Sequence, residues 1–238
     1  MSDQERHDDL TAWREARLRL VTAPHGIAAL VATHWLSPEP QRLEALDGEW
    51  RLDGADIVGE QFTLEEGGEV LLGDRLLRHF RRDDQVALRV LDPHAPGRAS
   101  VAGIDAYEPD PAWRLRGRFT PAEPDARLDL TEIDGYVESE RLAGTVELRI
   151  GDETVELLAT GPRTGLEVVF ADATSGDESY RFRFLLLRAD AGAGEIEVDF
   201  NRAYLPPCAF SDFYVCPLPP AQNRLTVPVR AGERQVRR

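Results

Sequence analysis

From Gly48 onward, apolar and polar residues alternate in short runs, and turn residues interrupt almost every run. That period of two belongs to β-strands and is incompatible with a helical core. The clearest hairpin reads GTVELRI, then Gly151-Asp152, then ETVELLAT. A two-residue loop opening on glycine fits the turn types that match the twist of paired strands. Asp53-Gly54 and Asp134-Gly135 are weaker copies of that signal. Around Trp113 the alternation puts Trp113, Leu115, Gly117 and Phe119 on one face and Arg114, Arg116 and Arg118 on the other, as in a half-buried antiparallel strand. A second such strand is predicted from Tyr180 to Leu187. Its core face would carry Tyr180, Phe182, Phe184 and Leu186, with Arg181 and Arg183 opposite.

Ahead of this region, Leu10, Trp13, Arg17, Leu20 and Val21 fall at helical spacing, and Asp8, Asp9 or Thr11 could cap the helix. The stretch from Pro24 to Leu36 fits a helix or a strand equally well. No linker or repeat divides the chain, and apart from a short turn at Ala191 to Gly194 no segment is of low complexity. The expected fold is therefore mainly β: a single antiparallel β barrel or bent sandwich over 1–238, with one or two N-terminal helices. Residues 1–7 and the arginine-rich 231–238 are expected to be flexible tails.

The formal net charge of -15 repels phosphate backbones and anionic membranes, so nucleic acid is not an expected partner. The chain contains no lysine. Schiff-base chemistry, pyridoxal-phosphate anchoring and the phosphate-loop lysine are thereby excluded. No apolar run reaches the length of about eighteen residues needed to span a bilayer, and the start MSDQERHDDL lacks the features of a signal peptide. A cytoplasmic location follows as an expectation, in which Cys208 and Cys216 are thiols.

The densest segment is DFNRAYLPPCAFSDFYVCPLPPAQNRLTVPV, from Asp199 to Val229, which holds both cysteines. An ordered irregular stretch of this length is either functional or a structural plug. In the run EIEVDFNRAY the alternation puts Ile196, Val198 and Phe200 on one face and carries Arg202 toward the core with them. A guanidinium placed there must meet a carboxylate, carbonyl oxygens or a bound anion. Prolines flank both cysteines, which suits either a rigidly placed nucleophile or a plug filled by buried thiols. A nucleophile would need a histidine or carboxylate nearby in space, and Asp212 is the only acid between the two thiols.

Seven residues separate the cysteines, which is not a zinc spacing. His25, His34, His79 and His94 form no paired motif, so no metal is expected, and no motif names a cofactor. Asn223 could cap a turn before a strand from Leu225 to Val229, and Arg224 raises the same question as Arg202. In FADATSGDESY the residues Asp172, Thr174, Ser175 and Gly176 are explained by a turn.

The segments DFNRAYLPPCAF, VCPLPPAQNRL and AGER, together with Trp13-Arg14, PHGIAALVATHWL, DPAWRLRGRF and Phe170 to Gly176, closely resemble the bacterial and archaeal family known as domain of unknown function 1684. The resemblance runs over nearly the whole chain. It implies no activity, cofactor or catalytic residue. One departure is visible: Tyr180, Arg181, Phe182, Arg183 and Phe184 stand where such proteins tend to have a glycine-rich stretch.

Two functional expectations follow. In the first, the C-terminal block forms a small-ligand pocket or enzyme site, with Arg202 and Arg224 binding a small anion, Asn201, Tyr204 and Asn223 completing the pocket, and Cys208 as nucleophile. In the second, the block is a rigid plug in a non-catalytic module whose surface binds another protein or a second copy of the chain.

Overall fold

The computed structural model describes residues 3–44, 46–189 and 193–238. The chain is mainly β and begins with one α-helix, α1 (Asp3–Thr22). The turn expected at Ala191 to Gly194 falls mostly outside the described residues. The fold divides into two compact units, one from Arg17–Val101 with Phe210–Tyr214, the other from residues through Ala16 with Ala102–Ala209 and Val215–Arg238.

In the first unit, Ile27–Ala29 makes a single 3-10 turn and the chain then extends into β1 (Leu30–Trp35), so the stretch after Pro24 resolves as a strand. It is followed by β2 (Arg51–Asp53), β3 (Asp56–Val58), β4 (Thr63–Leu64), β5 (Glu69–Leu72), β6 (Arg75–Arg82), β7 (Gln85–Leu91) and the short helix α2 (Pro96–Ala99). One antiparallel sheet runs β1-β7-β6-β5 and a smaller one β2-β3-β4. Ile57 and Leu64 of the small sheet, with Trp50 just before it, share one buried cluster with Leu77, Leu88 and Val90 of the larger, a sandwich-like core. The Asp53-Gly54 signal is the β2–β3 hairpin, with Asp53 opposite Asp56. Each histidine singled out in the sequence lies in this unit. His25 and His94 contact the Asp74 carbonyl and carboxylate, His79 is bonded to the Ala55 carbonyl, and burial lowers the pKa of His34.

The second unit holds β8 (Gly103–Ala106), β9 (Arg114–Pro121), β10 (Arg127–Thr131), β11 (Val137–Ile150), β12 (Glu153–Thr160), β13 (Leu166–Phe170), β14 (Arg183–Leu187), β15 (Gly194–Asp199) and β16 (Glu233–Arg237). Its main antiparallel sheet, β14-β13-β12-β11-β9-β15, curls into a half-barrel, with β10 paired to the first half of β11. The predicted hairpin is β11–β12, closed at Ile150 opposite Glu153. Phe119, Val146, Leu157, Val168, Phe170 and Phe200 fill the concave side. The curl needs close strand contact at Gly144, where a Cβ would lie 2.3 Å from the Thr120 carbonyl and 2.7 Å from the Phe119 ring. A register shift beside it, between Leu142 and Gly144, bends β11 as bulges do.

Neighbouring strands β12 and β13 pair only at Thr160 and Glu167, and the C-terminal block fills the gap where they part. The carboxamide of Asn223 accepts a hydrogen bond from Leu158 N (2.8 Å) and donates to the carbonyls of Leu158 and Val169 (2.9 Å each). A side chain thus takes the place of a peptide group between the strands, and Ala171 bridges to Arg224 directly after it. Residues 225–229 do not form the strand expected there.

Three sequence expectations are corrected here. The strand β14 starts only at Arg183; Phe182 and Phe184 are buried as expected, but the places of Arg183 and Leu186 are exchanged. Arg183 is 0% exposed whereas Leu186 is 51% exposed. The reason is a buried ion pair: Arg183 Nη2 donates to Asp172 Oδ2 (2.6 Å), and the guanidinium also donates to the carbonyls of Val229, Ala231 and Glu233. Asp172 accepts from the backbone of Thr174 and Val229 with its other oxygen, so the acid in the expected turn is also the counter-ion of Arg183.

Arg202 does not point into the core. Phe200–Arg202 is a 3-10 turn that ends the alternation, and Arg202 pairs with Asp9 while its guanidinium lies 5.5 Å from the Trp13 ring centroid. Finally, 231–238 is not a flexible tail. Its strand β16 pairs with β8, Ala231 is buried, and Glu233 accepts a hydrogen bond from Leu205 N (2.8 Å). Gly232, at φ +77°, permits that return, since a Cβ would lie 2.5 Å from the Ala203 carbonyl. At the other end, residues 3–7 are the first turns of α1.

Candidate functional site

The two cysteines lie at opposite ends of the proline-rich loop, and each is fixed by backbone pairing. Pro207–Ala209 is a 3-10 turn that presents Cys208. Cys216 sits in an extended segment alongside the end of β10, where its carbonyl accepts from Ile133 N (3.1 Å), Pro217 bridges Glu132, and Leu218 N donates to the Thr131 carbonyl (2.8 Å). Pro217 holds the backbone of Cys216 extended, which suits this pairing.

Cys216 is the largest influence on the ionisation of Cys208. The hydroxyl of Tyr180 lies 3.2 Å from the Cys208 carbonyl oxygen and 3.7 Å from its Sγ, and donates to both. Tyr180 is itself placed by its backbone N–H, which donates to the Arg234 carbonyl in β16 (2.7 Å). Next along the chain, the Arg181 guanidinium lies 5.6 Å from the Tyr180 ring centroid and 5.4 Å from that of Phe182, and its charge acts on Cys208.

These groups act on the two sulfurs in opposite directions. Cys216, the Tyr180 hydroxyl and the Arg181 charge together outweigh burial and bring the Cys208 pKa down to about 7. Cys216 moves up, first through the influence of Cys208, then through burial, the charge on Cys208 and the nearby carboxylate of Glu132. Burial and the adjacent Cys208 push Tyr180 up to about 12, so its hydroxyl remains a donor. Near neutral pH Cys208 is therefore partly ionised, whereas Cys216 stays protonated. Both sulfurs are shielded, Cys208 being 5% and Cys216 2% exposed, beneath the half-buried Tyr180 and the exposed Arg181.

The other residues singled out in the sequence have separate partners. Asn201 spends both amide donors on the Asp110 carbonyl and the Asp199 carboxylate, and accepts from Asp110 N. Asn223 spends both on strand carbonyls, as described above. The Tyr204 hydroxyl donates to Glu167 (3.2 Å), whose pKa is raised chiefly by burial. Arg202 pairs with Asp9, and Arg224 is exposed. None of these five positions belongs to the thiol cluster; of the candidate site residues only Cys208 does. Tyr180, Arg181 and Glu132 were not singled out by the sequence, and neither was the influence of Cys216 on Cys208. No group of three or more His, Cys, Asp or Glu side chains suited to a metal ion forms among the described residues, and no helix there is long and apolar enough to cross a membrane.

A family model described as "Protein of unknown function (DUF1684)" matches residues 99–234, about 57% of the chain. The near-full-length resemblance read from the sequence is thus narrowed to the part that contains the thiol site. No curated protein matches the chain. A solved structure, the solution NMR structure of an uncharacterized protein of Haloarcula marismortui, is similar at 34% identity, with 58% of this chain and 78% of that chain covered and a TM-score of 0.49.

Proposed function

Since this chain belongs to the DUF1684 family, a family of unknown function, its role is read from its own residues, and we infer that it is a thiol-dependent protein whose nucleophile is Cys208. The observation that supports this reading is the Tyr180 hydroxyl 3.7 Å from the Cys208 sulfur, with the Arg181 guanidinium beside the Tyr180 ring, in surroundings that lower the Cys208 pKa. A thiolate held in this way is nucleophilic at neutral pH, whereas a cysteine that only fills space needs no donors. The reaction class is attack of the Cys208 sulfur on a small electrophile, with Arg181 and Tyr180 placed to stabilise negative charge that develops beside it.

The remainder of the C-terminal block serves as the frame. Asn201 and Asn223 direct their amide donors at protein oxygens, and Glu233 holds Leu205 three residues before the nucleophile. This favours the plug reading for those positions and the site reading for Cys208.

Brief treatment of the native protein with iodoacetamide at neutral pH, followed by peptide mapping, separates the two cysteines. Alkylation is expected at Cys208, with Cys216 modified only after denaturation. Equal modification of both, or of neither, contradicts the reading.

A further inference from the structure

We propose that the open cleft beside the β11–β12 turn of the half-barrel binds a small hydrophobic cation, an amine or quaternary ammonium carried on an aromatic or short alkyl body. The cleft shares no residue with the thiol cluster, so this site stands whether or not Cys208 is a nucleophile. It encloses about 430 Å³, the size of a small-ligand site. Its floor is Ile150, which belongs to the buried core of the unit, and its walls are the half-buried Trp113, Leu115 and Val227, which pack against that core. Asp110 and Pro228 at its rim are exposed, so the way in is open.

Charge selects the occupant. Among the described residues, Asp110 is the one charged group that lines the cleft. Its Oδ1 accepts from Ala112 N (2.8 Å) and caps the 3-10 turn Pro111–Trp113, while its Oδ2 pairs with no cation among the described residues. Arg114, which follows that turn, directs its guanidinium to Asp199 instead (3.3 Å). The cleft therefore offers apolar walls, an indole ring and one unmatched carboxylate, and no positive charge for an anion. Indole is the side-chain ring that attracts cations best, and Trp113 closes the turn that Asp110 opens. The field of a chain with net charge -15 draws cations in the same direction.

The carboxylate and the ring are fixed before a ligand arrives. Buried Asn201 accepts from Asp110 N and donates to the Asp110 carbonyl (3.0 Å each), so it clamps that residue on both sides. Trp113 N donates to the same carbonyl (3.0 Å), and the Trp113 ring meets Phe200 edge to face at 6.0 Å. Neither group has to be ordered by the ligand, which favours binding.

The test titrates the full chain with phenethylammonium, and separately with the neutral phenethyl alcohol and the anionic phenylacetate, following backbone amides by NMR. The expected result is saturable shifts at Ala112, Trp113 and Gly151 with the cation, weaker ones with the alcohol and none with the anion. Asp110→Asn keeps an oxygen for the cap on Ala112, so the fold is retained. It should weaken the cation about fivefold, as loss of one half-exposed ion pair does, and leave the alcohol unchanged. Val227→Trp, which fills the cleft, should abolish both. Equal binding of all three compounds, or undiminished binding of the cation to Asp110→Asn, overturns the assignment. So do shifts confined to other residues, or no saturable shift with the cation.

Discussion

Replacing Arg183 by alanine should lower the stability of the half-barrel unit by about 3–5 kcal/mol, the cost of stranding a buried charge whose partner has been removed. In the native fold the guanidinium is wholly buried and divides its donors between Asp172 and the carbonyls of Val229, Ala231 and Glu233. Alanine would leave the Asp172 carboxylate without its counter-charge and release the backbone that leads into β16. Since β16 holds Tyr180 and Glu233 holds Leu205, loosening that segment should also disturb the thiols. A urea titration followed by circular dichroism measures the loss. The double variant Arg183→Met with Asp172→Leu should recover only part of it, because it removes both charges together but leaves the amides of Thr174 and Val229 and the carbonyls served by Arg183 without these partners. A loss within about 1 kcal/mol for Arg183→Ala would place this pair among ordinary surface ion pairs and contradict its role.

Asn223→Ala should be the next most damaging change, destabilising the same unit by about 3 kcal/mol, because each buried polar group left without a partner costs about 1–3 kcal/mol. The amide of Leu158 and the carbonyls of Leu158 and Val169 all lose their partner at once. Asn223→Asp should be worse than alanine despite its similar shape, since a carboxylate cannot donate and would face two carbonyl oxygens. Hydrogen exchange at the Leu158 amide gives a local readout. Exchange there should become faster in both variants, and an unchanged rate would mean that the carboxamide does not bridge the strands.

These two residues show where the sequence was legible and where it was not. Alternation located β9, the β11–β12 hairpin and the buried face of Ile196, Val198 and Phe200, because at those positions burial follows the pleat of a regular strand. It failed at Arg183 and Leu186, where alternation put the arginine outside and the leucine inside, because the place of Arg183 is decided by Asp172, a residue whose local turn already accounted for its type. It failed again at Arg202, because a 3-10 turn is a change of period that a run of alternating residues does not announce. The arginine-rich C-terminus looked solvated, yet its course is set by Gly232 and Glu233, whose partners lie some thirty residues earlier, around Ala203 and Leu205.

The thiol site was half legible. The prolines before Cys208 and after Cys216 marked both cysteines as rigidly placed, and Cys208 was a candidate nucleophile for that reason. Its activating groups were hidden because they are not the expected ones. The acid that acts on the cluster is Glu132, from the turn between β10 and β11, and the donors come from Tyr180 and Arg181, which read as two faces of a strand. No spacing rule connects a tyrosine to a cysteine across twenty-eight residues of intervening sheet.

The account rests most directly on the protonation state of Cys208, and the pH dependence of its alkylation reports that state. Only the thiolate reacts, so the rate follows the ionised fraction and rises with pH until the group is fully charged. With donors holding the charge, the rate should reach half its plateau near pH 7 and level off within about one to two pH units above it. Tyr180→Phe removes one donor and should move the midpoint upward. A rate that keeps climbing to the midpoint of an ordinary thiol, about 8.5, or a midpoint that ignores the loss of the Tyr180 hydroxyl, would contradict the account.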